Sequence, residues 1–106
     1  MSKYSFSDYQ EDAYETALKQ SRNIPYLTLG LVGEAGEVAN KIKKTLRGDG
    51  FLDIDAVMDE LGDILWYVAC LCEICDRDMT DVAGRNILKL RDRQNRGVIQ
   101  GDGDDR

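Results

Sequence analysis

The residues best suited to chemistry in this chain are two acidic pairs, Glu34-x-x-Glu37 and Glu60-x-x-Asp63, separated by 22 residues in a sequence without histidine. Residues three apart on a helix share a face, so each pair presents two carboxylates side by side. Four such charges brought together repel one another unless a divalent cation neutralises them. Oxygen donors alone suit Mg²⁺, with Mn²⁺ as a substitute, rather than Zn²⁺ or Cu²⁺. A single ExxE or ExxD reads first as a solvated helix face. Two pairs in register shift the reading towards a metal site.

Register follows from the elements that carry the pairs. The helix of the first pair is expected to end near Leu46, before Arg47-Gly48-Asp49-Gly50, and the next to begin near Asp55, a residue able to cap it. Glu37 is nine residues before that end and Asp63 eight after that start. At a rise of ~1.5 Å per residue, both sit ~12–13 Å from the connection. A short loop makes the helices antiparallel neighbours, which sets Glu37 level with Asp63, with Glu34 and Glu60 bracketing them.

On the later helix Glu60 and Asp63 share a direction with Ala56, Tyr67, Leu71 and Ile74. An ionised carboxylate on such an apolar stripe costs several kcal/mol unless paired or bound to metal. The structural alternative is pairing with Lys41, Lys44, Lys89 or Arg93. On the earlier helix the stripe is Leu31, Ala35, Val38, Ile42 and Leu46, with Glu34 and Glu37 at its edge. Gly30, Gly33 and Gly36 there each cost ~1 kcal/mol against alanine, which points to close packing or room for a ligand.

The pattern predicts an all-α, four-helix bundle-like subunit with helices near 7–22, 25–46, 55–77 and 80–95. Ser7-Asp8-Tyr9-Gln10 has the form of a capping box, with Ala13, Tyr14, Ala17 and Leu18 turned inward. Asn23 and Pro25 open the second helix and Thr80 the fourth, whose inward stripe runs Val82, Ala83, Ile87 and Leu90. Asn86 and Lys89 lie on or beside that stripe. The segment 97–106 is expected to be loop.

A length of 106 residues reads as one domain, 1–106. The third helix is apolar almost all round from Leu61 to Cys75, more than three neighbours in so small a chain cover, so a homo-oligomer, dimer or tetramer, is expected. The apolar run Ile64–Cys72 is too short to span a membrane, for which ~20 residues are needed. Met1-Ser2-Lys3-Tyr4 shows no apolar signal-peptide core, so a cytoplasmic protein is expected. A net charge of −6 argues against a nucleic-acid partner. Cys70, Cys72 and Cys75 have no fourth thiol or histidine to complete a zinc site, and read as small core residues.

The stretch Leu29-Gly-Leu-Val-Gly-Glu-Ala-Gly-Glu-Val-Ala-Asn-Lys-Ile-Lys-Lys44, followed by Asp59-Glu-Leu-Gly-Asp-Ile-Leu-Trp-Tyr67, closely resembles the MazG-like nucleotide pyrophosphohydrolases of the all-α NTP pyrophosphatase superfamily. The likeness continues through Asn86-Ile-Leu-Lys-Leu-Arg-Asp-Arg93 to the Gly-Asp-Gly-Asp-Asp-Arg end, and the compact length is like the small phage and bacterial versions. ExxE alone is unspecific; GEAGEV with DELGDILWY is specific. The resemblance implies Mg²⁺-dependent hydrolysis of a nucleoside triphosphate to monophosphate and pyrophosphate. Glu34, Glu37, Glu60 and Asp63 would hold the metal, and Glu34 or Glu37 would take the proton of the attacking water. It implies Lys41, Asn86, Lys89 and Arg93 as phosphate contacts, Tyr67 as a group within the pocket, and Gln10, Tyr14 and Trp66 as candidates for the base or sugar. The short connection between the second and third helices leaves base selectivity open. A di-iron bundle, which needs Glu-x-x-His, is excluded by the missing histidines. A non-catalytic helical interaction module of the same fold is the alternative.

Overall fold

The computed structural model describes residues 3–105; Met1, Ser2 and Arg106, the ends of the expected 1–106 domain, lie outside them. The described residues form four α-helices and one short 3₁₀ turn and no strand: α1 Phe6–Glu15, the turn Lys19–Ser21, α2 Ile24–Leu46, α3 Ile54–Ile74 and α4 Met79–Asn95. None of these helices is long and apolar enough to cross a membrane.

Helix starts are set by small polar side chains that accept from otherwise unpaired amides. Asn23 Oδ1 accepts from the Tyr26 amide at 2.8 Å, with Pro25 in the first turn, as the sequence pattern requires. At the other three starts the cap is two residues earlier than expected. Ser5, not Ser7, forms the capping box with Asp8. Asp53 rather than Asp55 caps α3, and Asp78 rather than Thr80 caps α4. Ser7 and Thr80 then serve another purpose: the Ser7 hydroxyl donates to the Asp78 carboxylate at 2.8 Å and lies 3.0 Å from the Thr80 hydroxyl, tying α1 to the start of α4.

Two helix ends come earlier than their periodicity suggests. α1 stops at Glu15 rather than near residue 22, where the Thr16 hydroxyl donates back to the Ala13 carbonyl at 2.6 Å; Leu18, expected inward, is exposed. α3 stops at Ile74 rather than 77. Asp76 takes the left-handed conformation (φ 55°), and the amides of Asp76 and Arg77 bond back to the carbonyls of Glu73 and Cys72.

The seven-residue connection Arg47–Asp53 makes α2 and α3 an antiparallel hairpin, and this is the main packing of the molecule. α1 lies on α3, while α4 leans on α1 and, more lightly, on α3. The core gathers at the end of the hairpin remote from its loop, around Ala13, Ala17, Leu27, Ala69, Cys70, Cys72 and Met79, with Tyr9, Trp66 and Leu71 packed against it. Cys70 and Cys72 are core residues as expected, and burial pushes the Cys70 thiol up to about 11; Cys75 is exposed. Val82 and Ile87, expected inward, are exposed because α4 touches its neighbours along only part of its length, whereas Ala83 and Leu90 are half-buried. The radius of gyration is 16.6 Å, against about 13 Å for a compact chain of ~100 residues.

Candidate active site

Glu34 on α2 and Glu60 and Asp63 on α3 each offer a carboxylate oxygen within 4.8 Å of the others. The hairpin brings them together, with Glu34 and Glu60 half-buried and Asp63 exposed. The register differs from the expected one. Glu34, Val38 and Lys41, spaced i, i+4 and i+7, form the half-buried edge that faces α3, and Glu37 turns about 60° away from Glu34 into solvent. Glu34 rather than Glu37 therefore stands opposite Asp63. Glu37 lies outside the close set but near enough for its charge to act on Glu34.

The electrostatics of this cluster are strained. The neighbouring Glu60 carboxyl, to which Glu34 can hydrogen-bond only while it keeps its proton, is the largest influence on Glu34. With burial and the charges of Glu60, Asp63 and Glu37 it pushes Glu34 up to about 7. Glu60 Oε2 is buried and has no hydrogen-bond partner among the described residues. The cation nearest Glu60 is Lys41, whose Nζ is 3.9 Å from Oε1, beyond hydrogen-bonding range. A buried acceptor left open, beside two more carboxylates, fits the donor set of a hard divalent cation.

Tyr67, one turn after Asp63, lies across α2 at Gly30. A Cβ at Gly30 would fall 2.2 Å from Tyr67 Cε1, so only glycine admits the ring there. The expected close packing holds at Gly30 alone, since a Cβ at Gly33 or Gly36 would meet nothing within 4 Å. Burial first, then the charges of Tyr26, Glu34 and Asp63, raise the Tyr67 hydroxyl above its ordinary value. Tyr9 of α1 is raised likewise by burial, with contributions from Cys70 and Asp63. Tyr9 was not among the sequence candidates; it sits one residue before Gln10, and nothing in its local pattern marks it.

The remaining candidates are dispersed. Gln10 is buried and fully used: its Nε2 donates to Glu73 Oε2 and the Arg77 carbonyl, and its Oε1 accepts from the Met79 amide at 2.7 Å. Trp66 Nε1 donates to the Ala13 carbonyl and the Thr16 hydroxyl, and its ring meets Tyr67 edge-on at 4.9 Å. Tyr14 is half-buried, with the Arg22 guanidinium 4.3 Å above its ring. Asn86 is exposed on the wall of a cavity of ≈ 360 Å³ shared with Val82, Arg85 and Lys89. Lys89 and Arg93 both hold Asp104.

The profile of the MazG nucleotide pyrophosphohydrolase domain matches residues 22–98, which include all four motif acids. The chain belongs to this family. It is similar to the gene 37 protein of Mycobacterium phage L5, with 46% identity over 109 residues, covering 92% of this chain and 96% of that protein. No solved structure matches. The MazG family generally uses a divalent metal, and Glu34, Glu60 and Asp63 form an acidic cluster that is the candidate for holding one.

Proposed function

We propose that this MazG-family chain hydrolyses a nucleoside or deoxynucleoside triphosphate between the α and β phosphorus atoms, releasing monophosphate and pyrophosphate with Mg²⁺ as the cofactor. The observation that supports the reading most directly is the convergence of Glu34, Glu60 and Asp63, with a buried Glu60 oxygen lacking a partner. Without a cation the cluster must keep a proton or remain repulsive, and Lys41, 3.9 Å from one Glu60 oxygen, offsets only part of that charge, which supports a bound cation. Bound there, the metal would act as a Lewis acid on phosphate oxygens and offset the charge that develops on cleavage.

The chain's own residues divide the remaining work. Glu34, Glu60 and Asp63 hold the cation. Glu37, exposed and outside the close set, is free to accept the proton of the attacking water, which makes it the better placed of the two candidate bases. Lys41 stands beside Glu60, where its charge complements a phosphate as well as a carboxylate. Tyr67, held over Gly30, limits the space next to the acids, and Tyr9 joins it as an aromatic surface for the base. Gln10 and Trp66, both engaged in internal hydrogen bonds, position α1 rather than touch substrate. Asn86, Lys89 and Arg93 remain candidates for phosphate contacts from α4.

Assembly and location belong to the same proposal. Val32, Ile42, Leu46, Ile54, Met58 and Leu61 are exposed along the hairpin, and a second copy is the cover their chemistry calls for. A homodimer or homotetramer in the cytoplasm, with no membrane or nucleic-acid polymer as partner, is the state we propose. Light scattering should find no active monomer at micromolar concentration. The deciding assay is turnover of individual NTPs and dNTPs with Mg²⁺ and with EDTA. Pyrophosphate release that needs the metal is the expected result; orthophosphate as first product, or no turnover of any nucleotide, would overturn the proposal and favour the non-catalytic interaction module.

A further inference from the structure

Lys89 and Arg93, one turn apart on α4, are both engaged by the end of their own chain. Gly97, at φ +74°, admits the left-handed turn that closes α4, and the Val98 amide bonds back to the Arg93 carbonyl at 2.8 Å. The chain then returns along the helix, and Asp104 Oδ1 accepts from Lys89 Nζ at 3.1 Å and from Arg93 Nη2 at 3.3 Å. The Asp104 carbonyl accepts a second bond from Arg93 Nη2 at 2.7 Å. These two cations hold the Asp104 carboxyl below the usual carboxylate range.

The two sides of this contact are unequal. Arg93 is 4% exposed, and its Nε is buried with no partner among the described residues, whereas Asp104 is 83% exposed. Asn86, Lys89 and Arg93, spaced i, i+3 and i+7, line one face of α4, and Lys89 also walls the ≈ 360 Å³ cavity with Arg85, Asn86 and Val82. A buried guanidinium with an unused donor, a lysine, a further arginine and an amide along one face provide for more acceptor oxygens and more negative charge than one carboxylate carries. A phosphate group supplies both.

We propose that the segment Gly101–Asp105 is an internal competitor for a phosphate-binding site on α4, with Asp104 standing in for the phosphate, and that a bound polyphosphate displaces it. Asp104 contributes one exposed carboxylate, so the latch is weak and reversible. The site would accept the phosphate chain of a nucleotide or free pyrophosphate; only the first of these sources rests on the hydrolase reading. Displacement of the tail uncovers Arg93, and apparent affinity for the anion is reduced by the fraction of molecules with the tail in place.

The test uses the whole chain in EDTA, which separates anion binding from turnover. Asp104→Asn should bind inorganic pyrophosphate about fivefold more tightly than the wild type, the factor expected when an exposed carboxylate gives up its ion pairing with Lys89 and Arg93. Asp105→Asn, which removes the neighbouring acid that holds neither cation, should change little, and adding Arg93→Gln to Asp104→Asn should abolish the gain. In the wild type, pyrophosphate should move the NMR amide signals of residues 101–105 towards random-coil positions. This last readout decides the matter if Asp104→Asn is too unstable to assay. Equal affinity in a folded Asp104→Asn protein, or tail signals that pyrophosphate leaves unchanged, would make the tail a structural clamp and overturn the proposal. A non-hydrolysable α,β-methylene triphosphate, run in parallel, assigns the site to substrate if it releases the tail and to product if only pyrophosphate does. A chain that turns over no nucleotide yet releases its tail to pyrophosphate would lose the hydrolase reading and keep the latch.

Discussion

The two ends of the α2–α3 hairpin are built on opposite terms. At the end remote from the loop, Leu27, Ala69 and Cys70 are 0% exposed and lie under α1 and the start of α4. Towards the loop the same two helices carry Glu34, Glu60 and Asp63, and beside them Val32, Ile42, Met58 and Leu61 face outward. The first end supplies the packing that makes the hairpin rigid, and the second spends part of that rigidity on holding three carboxylates close. Stability and candidate function are thus separated along one pair of helices, which means that substitutions should sort by position rather than by residue type.

The largest expected effect is on turnover at the acid end. Glu60→Gln or Asp63→Asn should lower pyrophosphate release by at least ~10²–10³-fold, the scale of removing one preorganised electrostatic group from an active site. The same variants in EDTA should melt no lower than the wild type, because a repulsive charge has been removed. Mg²⁺ should raise the melting temperature of the wild type much more than theirs. A variant destabilised in EDTA, with a wild type indifferent to Mg²⁺, would turn the acids into salt-bridge partners and erase the contrast between the two ends.

At the packed end, Leu27→Ala should cost about 2–5 kcal/mol of stability, the range for emptying a fully buried leucine site, measurable by urea unfolding. A loss below ~1 kcal/mol would mean that the core is elsewhere. Smaller effects probe the face between the ends. Gly33→Ala and Gly36→Ala should each stabilise an isolated chain by up to ~1 kcal/mol, since the new methyl meets nothing and helix propensity improves. If a second copy covers that face, the sign reverses and dissociation accompanies it. Gly30→Ala should destabilise in either state because Tyr67 must move.

The smallest expected effect is the pH dependence of the metal-free protein. The Glu34 carboxyl is raised to about 7 in the folded chain, above its ordinary value of 4.5. Between these values the folded state binds more protons at Glu34 than the unfolded one, so the Glu34 contribution to stability in EDTA should be fullest below pH ~4.5 and be lost as pH rises through ~7. Titration of the melting temperature in EDTA and in Mg²⁺ checks this: the decline attributable to Glu34 should vanish with the cation present. Because Glu34 is only half-buried, solvent screens the effect, and a large change would implicate other groups.

Helix number, order and hairpin topology were legible from the sequence because the 3.6-residue period of apolar side chains, Asn23-Ile-Pro25 and the glycine-bearing turn after Leu46 all act locally. The family likeness was legible for the same reason: its motifs are short strings on two consecutive helices. Cap positions were not, because several small polar residues at each start could serve. Ser5 rather than Ser7, and Asp78 rather than Thr80, are selected only once α1 docks beside the start of α4.

The sequence by itself determined which carboxylates could meet, since spacing on a helix dictates which side chains share a face. Tertiary structure decided which ones do. The axial and rotational setting of α2 against α3 put Glu34, not Glu37, opposite Asp63, and that setting depends on Tyr67 seating on Gly30 and on the core at the far end of the hairpin. It also committed Gln10 and Trp66 to hydrogen bonds within the fold and brought Asp104 back to Lys89 and Arg93. These contacts join residues distant in the chain, and periodicity along one helix carries no information about a partner that arrives from another.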